Sequence, residues 1–201
     1  MLIELKPDTS YAEVESLTIR LRKMGFHVVK QENLKLAIVT GVDSLVVMDD
    51  FKCLPHIAKV YPLTSRYKLA SRQCKAEDTI IEINGIKIGG GNFLAVAGPC
   101  SVESREQLEA CAKVAVKSGA LALRGGAYKP RTSPYEFQGM GINGIHLISE
   151  VAKDNGLLSI SEVMDVEQVH EASKYIDILQ IGARNVQNYS LLKELGKVSN
   201  P

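Results

Sequence analysis

Two short stretches of this chain carry most of its chemistry: Ala97-Gly-Pro-Cys-Ser-Val-Glu-Ser104 and Leu123-Arg-Gly-Gly-Ala-Tyr-Lys-Pro-Arg-Thr-Ser-Pro134. Each follows a short apolar run and turns into a loop rich in glycine or proline. The second brings Arg124, Lys129 and Arg131 together with two glycines and the Thr132 hydroxyl. Cations so close in sequence repel one another unless an anion lies among them. Lys129 offers a point charge and Arg131 a planar fork suited to bidentate contact with phosphate. Gly125 and Gly126 are expected to let backbone amides approach the same oxyanion. A solvated, helix-flanking basic loop is the plain alternative, and the position of Arg124 at the end of a strand argues against it.

Cys100 follows Gly-Pro a few residues before a helix, whose amides would favour its thiolate. A metal ligand, a nucleophile and a small buried apolar residue are all open readings. A nucleophile wants a histidine base nearby. His146 and His170 fall on helices away from the strand ends and read as surface residues, as do His27 and His56. A metal needs further His, Asp or Glu ligands, and no obvious set accompanies Cys100. Glu162 is either a carboxylate of the site or the partner of a nearby cation. Cys53, Cys74 and Cys111 read as structural, and Met24 as part of a core stripe.

The elements that must position these residues follow from periodicity and punctuation. Residues 1–62 form one unit. Leu2–Leu5 is a strand, and Ser10-x-x-Glu13 is a capping box opening a helix with Val14, Leu17, Leu21 and Met24 on one face, stopped by Gly25. Strands at 26–30 and 34–39, a helix at 44–51 and a strand at 57–61 complete a β-α-β-β-α-β order, the ferredoxin-like split βαβ arrangement. Such a domain usually senses ligands or pairs with partners.

Residues 63–92 are a connector with a hairpin over 79–88 turning at Asn84-Gly85, after which Gly89-Gly90-Gly91 frees the chain. From Phe93 the pattern is β-α repeated, with strands at 93–97, 120–124, 157–161 and 177–181. Ser104, Asp165 and Asn188 cap the helices. Leu108, Cys111, Ala112, Ala115 and Val116 form one inward stripe, and Leu191, Leu192 and Leu195 another. Alternating strands and helices imply a parallel sheet. Its ligand site lies at the carboxyl ends of the strands, which here supply Cys100, Arg124, Lys129, Arg131, Glu162, Gln180 and Arg184. The fold class is therefore α/β. Four β/α units fill residues 93–201, whereas a closed barrel needs eight and roughly 250 residues. The alternatives are a smaller open sheet and the first half of a (β/α)₈ barrel that has been cut off.

Composition narrows the function classes. The chain has 201 residues, 45% hydrophobic and 23% charged, with a formal net charge of +1 and 5% aromatics. That balance gives no support to nucleic-acid binding. No apolar run approaches the ~20 residues of a membrane span, and the N-terminus has no signal-peptide layout. Four cysteines without CxxC spacing are expected to be reduced thiols in the cytoplasm.

The two stretches, extended as Pro134-Tyr-Glu-Phe-Gln-Gly139 and joined by Ser161-Glu-Val-Met-Asp165 and Leu179-Gln-Ile-Gly-Ala-Arg-Asn185, closely resemble 3-deoxy-D-arabino-heptulosonate-7-phosphate (DAHP) synthases. The branch resembled has a small N-terminal domain and is related to the octulosonate-phosphate (KDO8P) synthases. The Lys129-Pro-Arg-Thr132 run separates the two, because the octulosonate enzymes are similar around Gly-Pro-Cys but differ here.

The resemblance implies a (β/α)₈ enzyme condensing phosphoenolpyruvate with erythrose 4-phosphate and releasing phosphate, at the first step of the shikimate pathway. It implies Cys100 as ligand to a divalent metal (Mn²⁺, Fe²⁺, Zn²⁺ or similar) that polarises the aldehyde carbonyl. Arg124, Lys129 and Arg184 would hold phosphoenolpyruvate, and Arg131 and Thr132 would contact the sugar phosphate. The N-terminal domain would sense an aromatic amino acid, and the full-length protein would be a homo-oligomer. The remaining metal ligands and two further cations belong to the family's second half. The 201-residue chain alone is thus expected to be inactive and poorly folded past Phe93. The alternative from another class is a non-catalytic regulatory protein that binds an aromatic amino acid.

Overall fold

In the computed structural model, residues 1–31, 35–40, 51, 53–62, 67, 70–72 and 75–201 are described. They fall into two compact units, Met1–Asp78 and Thr79–Pro201.

The first unit is an antiparallel sheet with one described helix. Strands β1 (Leu2–Leu5), β2 (His27–Gln31), β3 (Lys35–Thr40) and β4 (Ile57–Tyr61) lie in the order β2-β3-β1-β4, with helix α1 (Tyr11–Lys23) between β1 and β2. All three strand pairings are antiparallel. β3 thus separates β1 from β2, as a split βαβ unit requires. The capping box is formed: Ser10 Oγ accepts from the Glu13 amide at 3.4 Å, and the Glu13 carboxylate accepts from the Ser10 amide at 2.7 Å. Val14, Leu17 and Leu21 face the core, joined by Thr18, whose hydroxyl donates to the Val14 carbonyl. Met24 does not extend this stripe. It is the C-cap residue and 56% exposed, because Gly25 (φ +88°) turns the chain so that Phe26 enters the core instead. The helix expected at 44–51 lies outside the described residues save Phe51, which is buried against Phe26.

The second unit begins with a hairpin, β5 (Ile81–Ile83) and β6 (Ile86–Ile88). Asn84 (φ +49°) and Gly85 (φ +81°) make the tight turn between them. Four parallel strands follow: β7 (Val96–Ala97), β8 (Ala122–Arg124), β9 (Leu158–Glu162) and β10 (Ile178–Gln180), in the order β10-β9-β8-β7. The helices are α2 (Arg105–Lys117), α3 (Ile142–Asp154), α4 (Val166–Ala172) and α5 (Tyr189–Leu195). The sheet is the four-stranded beginning of an α/β barrel. β7 is shorter than the 93–97 expected, pairing with β8 only from Val96, and Phe93 stands 87% exposed.

Strand alternation divides the residues of this sheet between two faces. Leu123 and Leu179 face the helices and join Leu108, Ala112, Ile145, Ile148, Val169 and Leu191 in the main core. Ala122, Leu158 and Ile160 face the other way, packed by Ile83 and Ile86 of the hairpin and by Ile178. β9 is buried at all five positions, as a strand covered on both faces must be. Its helix-facing serines are satisfied. Ser159 pairs with Asp177 through its amide and hydroxyl, both at 2.8 Å, and Ser161 Oγ accepts from the Ala127 amide at 3.2 Å. Two apolar stripes are narrower than their periodicity suggests. Val116 is 48% and Leu192 37% exposed, each at the edge of a stripe whose centre (Leu108, Ala112 and Ala115; Leu191) fills the core. No described helix is long and apolar enough to cross a membrane.

Candidate active site

The same alternation builds the site. Counting by two from the inner-face residues Ala122, Leu158, Ile160 and Ile178 leads to Arg124, Glu162 and Gln180, the last residues of β8, β9 and β10. These three strand ends form one polar cluster. Arg124 Nε donates to Gln180 Oε1 at 2.9 Å, and Gln180 Nε2 donates to Glu162 Oε2 at 3.2 Å. Arg124 Nη2 lies 4.0 Å from the same carboxylate oxygen. Glu162 is 7% exposed, a buried charge that needs these partners.

Cys100 enters from the loop after β7. Gly98 makes that approach feasible: at φ +146°, a side chain there would place its Cβ 2.1 Å from the Arg124 carbonyl oxygen. The carbonyl oxygen of Cys100 then receives three donors: Arg124 Nη1 at 3.0 Å, Lys129 Nζ at 2.9 Å and the Gly126 amide at 3.3 Å. Lys129 Nζ also donates to Cys100 Sγ at 3.2 Å. That hydrogen bond first, then the Lys129 charge, and after it those of Arg124 and Arg131, hold the Cys100 thiol below its ordinary pKa. Neighbouring cations thus favour the thiolate, and α2 begins a few residues on, at Arg105. Cys53 is also exposed, which corrects its reading as a structural residue; Cys74 lies outside the described residues.

Glycine contributes here by size. The amides of Gly125 and Gly126 are consumed internally, by the Ile160 and Cys100 carbonyls, so they do not offer themselves to an oxyanion as the sequence suggested. A Cβ at Gly125 would meet Val102 at 2.9 Å, and one at Gly126 would press on the Cys100 carbonyl at 3.0 Å and on the Lys129 side chain at 3.2 Å. The loop bearing Lys129, Arg131 and Thr132 is pinched at its base. Lys129 N donates to Gln138 O, Gly141 N donates to Ala127 O, and Gly139 (φ +96°) passes too close to Ala127 O for any side chain. Lys129 is buried by the loop, whereas Arg131 and Thr132 are exposed on it. Arg184 reaches the loop from beyond β10, Nη1 donating to the Pro130 carbonyl at 3.0 Å.

The structure therefore draws Cys100, Arg124, Lys129, Glu162 and Gln180 into one network of contacts, with Arg131 near enough for its charge to act on Cys100 and Arg184 tied to the loop through the Pro130 carbonyl. Gln180 was visible at a strand end, but its bridging role was not. His146 needs correction. It is half-buried, its ring packs edge-on against Tyr175 at 4.4 Å between centroids, and its Nε2 is buried without a hydrogen-bond partner. His170 is exposed as expected and meets Glu194 at 2.5 Å. The residues do not by themselves fit a divalent metal. Cys100 offers one thiolate, the Glu162 carboxylate is engaged by Gln180, and among the described residues no group of three or more His, Cys, Asp or Glu could hold an ion.

Comparison with known proteins shows the family to which the chain belongs. Residues 73–201 match the family described as "DAHP synthetase I family". A phospho-2-dehydro-3-deoxyheptonate aldolase of Thermotoga maritima is 38% identical over all of this chain and 60% of its own length. A crystal structure of that enzyme from the same organism superposes with a TM-score of 0.67 at 37% identity, covering 100% of this chain and 59% of that one. A 2-dehydro-3-deoxyphosphooctonate aldolase of Citrifermentans bemidjiense is 34% identical over 58% of this chain and 45% of its own. The chain thus spans about 60% of the length of the Thermotoga relative. With that match covering every strand end of the site, the chain belongs to the DAHP synthetase I family.

Proposed function

We propose that this chain carries the phosphoenolpyruvate clamp of a DAHP synthase, which joins phosphoenolpyruvate to D-erythrose 4-phosphate. In that reaction C3 of the enol bonds to the aldehyde carbon. Water adds at C2, and phosphate leaves with its C–O bond broken, so that C2 becomes the keto carbon of the seven-carbon product. The observation that carries this reading is the convergence of Arg124 and Lys129 on one carbonyl oxygen, that of Cys100. Two cations held so close gain most from a ligand with two anionic groups, and phosphoenolpyruvate has a carboxylate and a phosphate.

Each cation keeps donors free for it. Lys129 spends two on Cys100, and Arg124 spends one on Gln180 and one on Cys100. Arg184, anchored on the loop, is the third arm of the clamp. Arg131 and Thr132, exposed on that loop, are assigned to the sugar phosphate. The clamp supplies position and charge, the larger part of what such a condensation requires.

Cys100 is assigned as one ligand to a divalent ion of the Mn²⁺, Fe²⁺ or Zn²⁺ class, with its other ligands outside this chain. The split βαβ sheet of the first unit is the ground for reading it as a sensor of an aromatic amino acid. The whole protein is read as a cytoplasmic homo-oligomer, and the present chain alone as inactive. The test compares this chain with a version extended to the full length of the Thermotoga relative, following phosphoenolpyruvate loss with erythrose 4-phosphate and manganese. Turnover is expected only in the longer protein, falling at least a hundredfold in Arg124→Leu and Lys129→Met. Full activity in either variant would overturn the assignment.

A further inference from the structure

Arg124 lies among groups of opposite demand. The Glu162 carboxylate is 4.0 Å from its Nη2, close enough to attract the guanidinium and too far for a hydrogen bond. Left to themselves, a planar guanidinium and a buried carboxylate close into a bidentate fork. Such a fork would spend the donors and much of the charge that an incoming anion needs. What holds the pair apart is Gln180. Its Oε1 accepts a hydrogen bond from Arg124 Nε at 2.9 Å, while its Nε2 donates one to Glu162 Oε2 at 3.2 Å. The amide is neutral and has one acceptor and one donor on the same planar end, so a single residue satisfies both charges without cancelling either.

The backbone fixes Gln180 in this position. β10 pairs with β9 in the register that sets Gln180 opposite Glu162, and the Val163 amide donates to the Gln180 carbonyl at 3.1 Å. The strand end, and not a mobile loop, carries the spacer. We propose that Gln180 is a positioning residue of the anion clamp: it is an insulating amide that keeps Arg124 from collapsing onto Glu162 and leaves the guanidinium edge open to substrate. The inference rests on the phosphoenolpyruvate reading above and adds to it the residue that sets the affinity of Arg124.

The distinguishing consequence is non-additive. In Gln180→Leu, Arg124 closes on Glu162, and phosphoenolpyruvate binding weakens about tenfold, the equivalent of about 1.4 kcal/mol. Gln180→Glu places a second carboxylate on Arg124 Nε and weakens binding at least as much. Removing the competing carboxylate as well, in Gln180→Leu/Glu162→Gln, restores most of the loss, because no anion is left for Arg124 to close on. A residue that merely filled space would give two losses that add or leave each other unchanged.

The experiment is calorimetric titration of the version extended to the full length of the Thermotoga relative, and of its variants, with phosphoenolpyruvate, with circular dichroism confirming that each variant melts as the parent does. A tenfold loss in Gln180→Leu that Glu162→Gln repairs supports the proposal. Binding unchanged in Gln180→Leu, or a loss that Glu162→Gln deepens, overturns it while leaving the clamp reading intact. No binding by the unsubstituted extended protein overturns the clamp reading and this inference with it.

Discussion

The ammonium of Lys129 bridges two atoms of Cys100, its carbonyl oxygen at 2.9 Å and its sulfur at 3.2 Å. One cation thereby fixes the loop after β7 to the loop after β8 and sets the ionisation of the thiol between them. Substrate clamp and metal ligand, as proposed, are mechanically one unit.

The thiol of Cys100 ionises below its ordinary value, chiefly through the Lys129 hydrogen bond and charge. Lys129→Met removes both, so the thiol pKa rises and less thiolate exists near neutrality. Alkylation by iodoacetamide, followed on the Cys100 peptide by mass spectrometry, is expected to reach its plateau at higher pH in the variant and to run several-fold slower at pH 7. An unchanged pH profile would mean that Lys129 does not control the thiol.

Gly98→Ala is expected to disrupt the unit. The added Cβ would lie 2.1 Å from the backbone oxygen of Arg124, and φ +146° is a conformation that only glycine adopts readily. Strain of this kind costs about 1–3 kcal/mol. Urea denaturation should reveal a loss in that range, and phosphoenolpyruvate binding should fall with it. Parent-like stability would show that the loop relaxes freely.

Gly182→Ala separates sterics from strain. Gly182 has φ −72°, open to any residue, yet its Cβ would fall 2.1 Å from Glu162 Oε1. The carboxylate must swing away from Gln180, so binding of phosphoenolpyruvate should weaken several-fold, and urea denaturation should show a loss of about 1–3 kcal/mol from the buried carboxylate short of a partner. Parent-like binding of phosphoenolpyruvate would contradict this account.

Asp177→Ala tests the foundation of β9. Asp177 Oδ2 accepts from both the amide and the hydroxyl of Ser159, a residue 1% exposed. Removing that acceptor leaves two buried donors unpaired, at about 1–3 kcal/mol each. A loss of about 2 kcal/mol or more in urea denaturation is expected, and a loss below 0.5 kcal/mol would indicate that water replaces the carboxylate.

Much of this architecture was legible because it depends on local rules. Short apolar runs between capped helices located β8, β9 and β10 to within two residues, and a parallel sheet makes the last residue of each strand a candidate for the site. Ser10, Ser104, Asp165 and Asn188 cap their helices because short polar side chains accept from free amides wherever a helix starts. What stayed hidden depends on distant pairings. The bridging role of Gln180 needs the β9–β10 register, and the burial of His146 needs Tyr175, 29 positions along the chain. Met24 looked apolar and periodic, but the turn at Gly25 decided its exposure. Gly125 and Gly126 resembled an anion nest, yet their amides were already spent on neighbouring strands.

The central claim is that Arg124 and Lys129 form an anion clamp for phosphoenolpyruvate. Its most direct test is a phosphorus-31 NMR titration of phosphoenolpyruvate with the extended protein, repeated with its Lys129→Met variant. A saturable shift or broadening of the phosphorus resonance that the variant abolishes is the predicted result. A resonance unmoved by the unsubstituted extended protein, or moved equally by the variant, would contradict it.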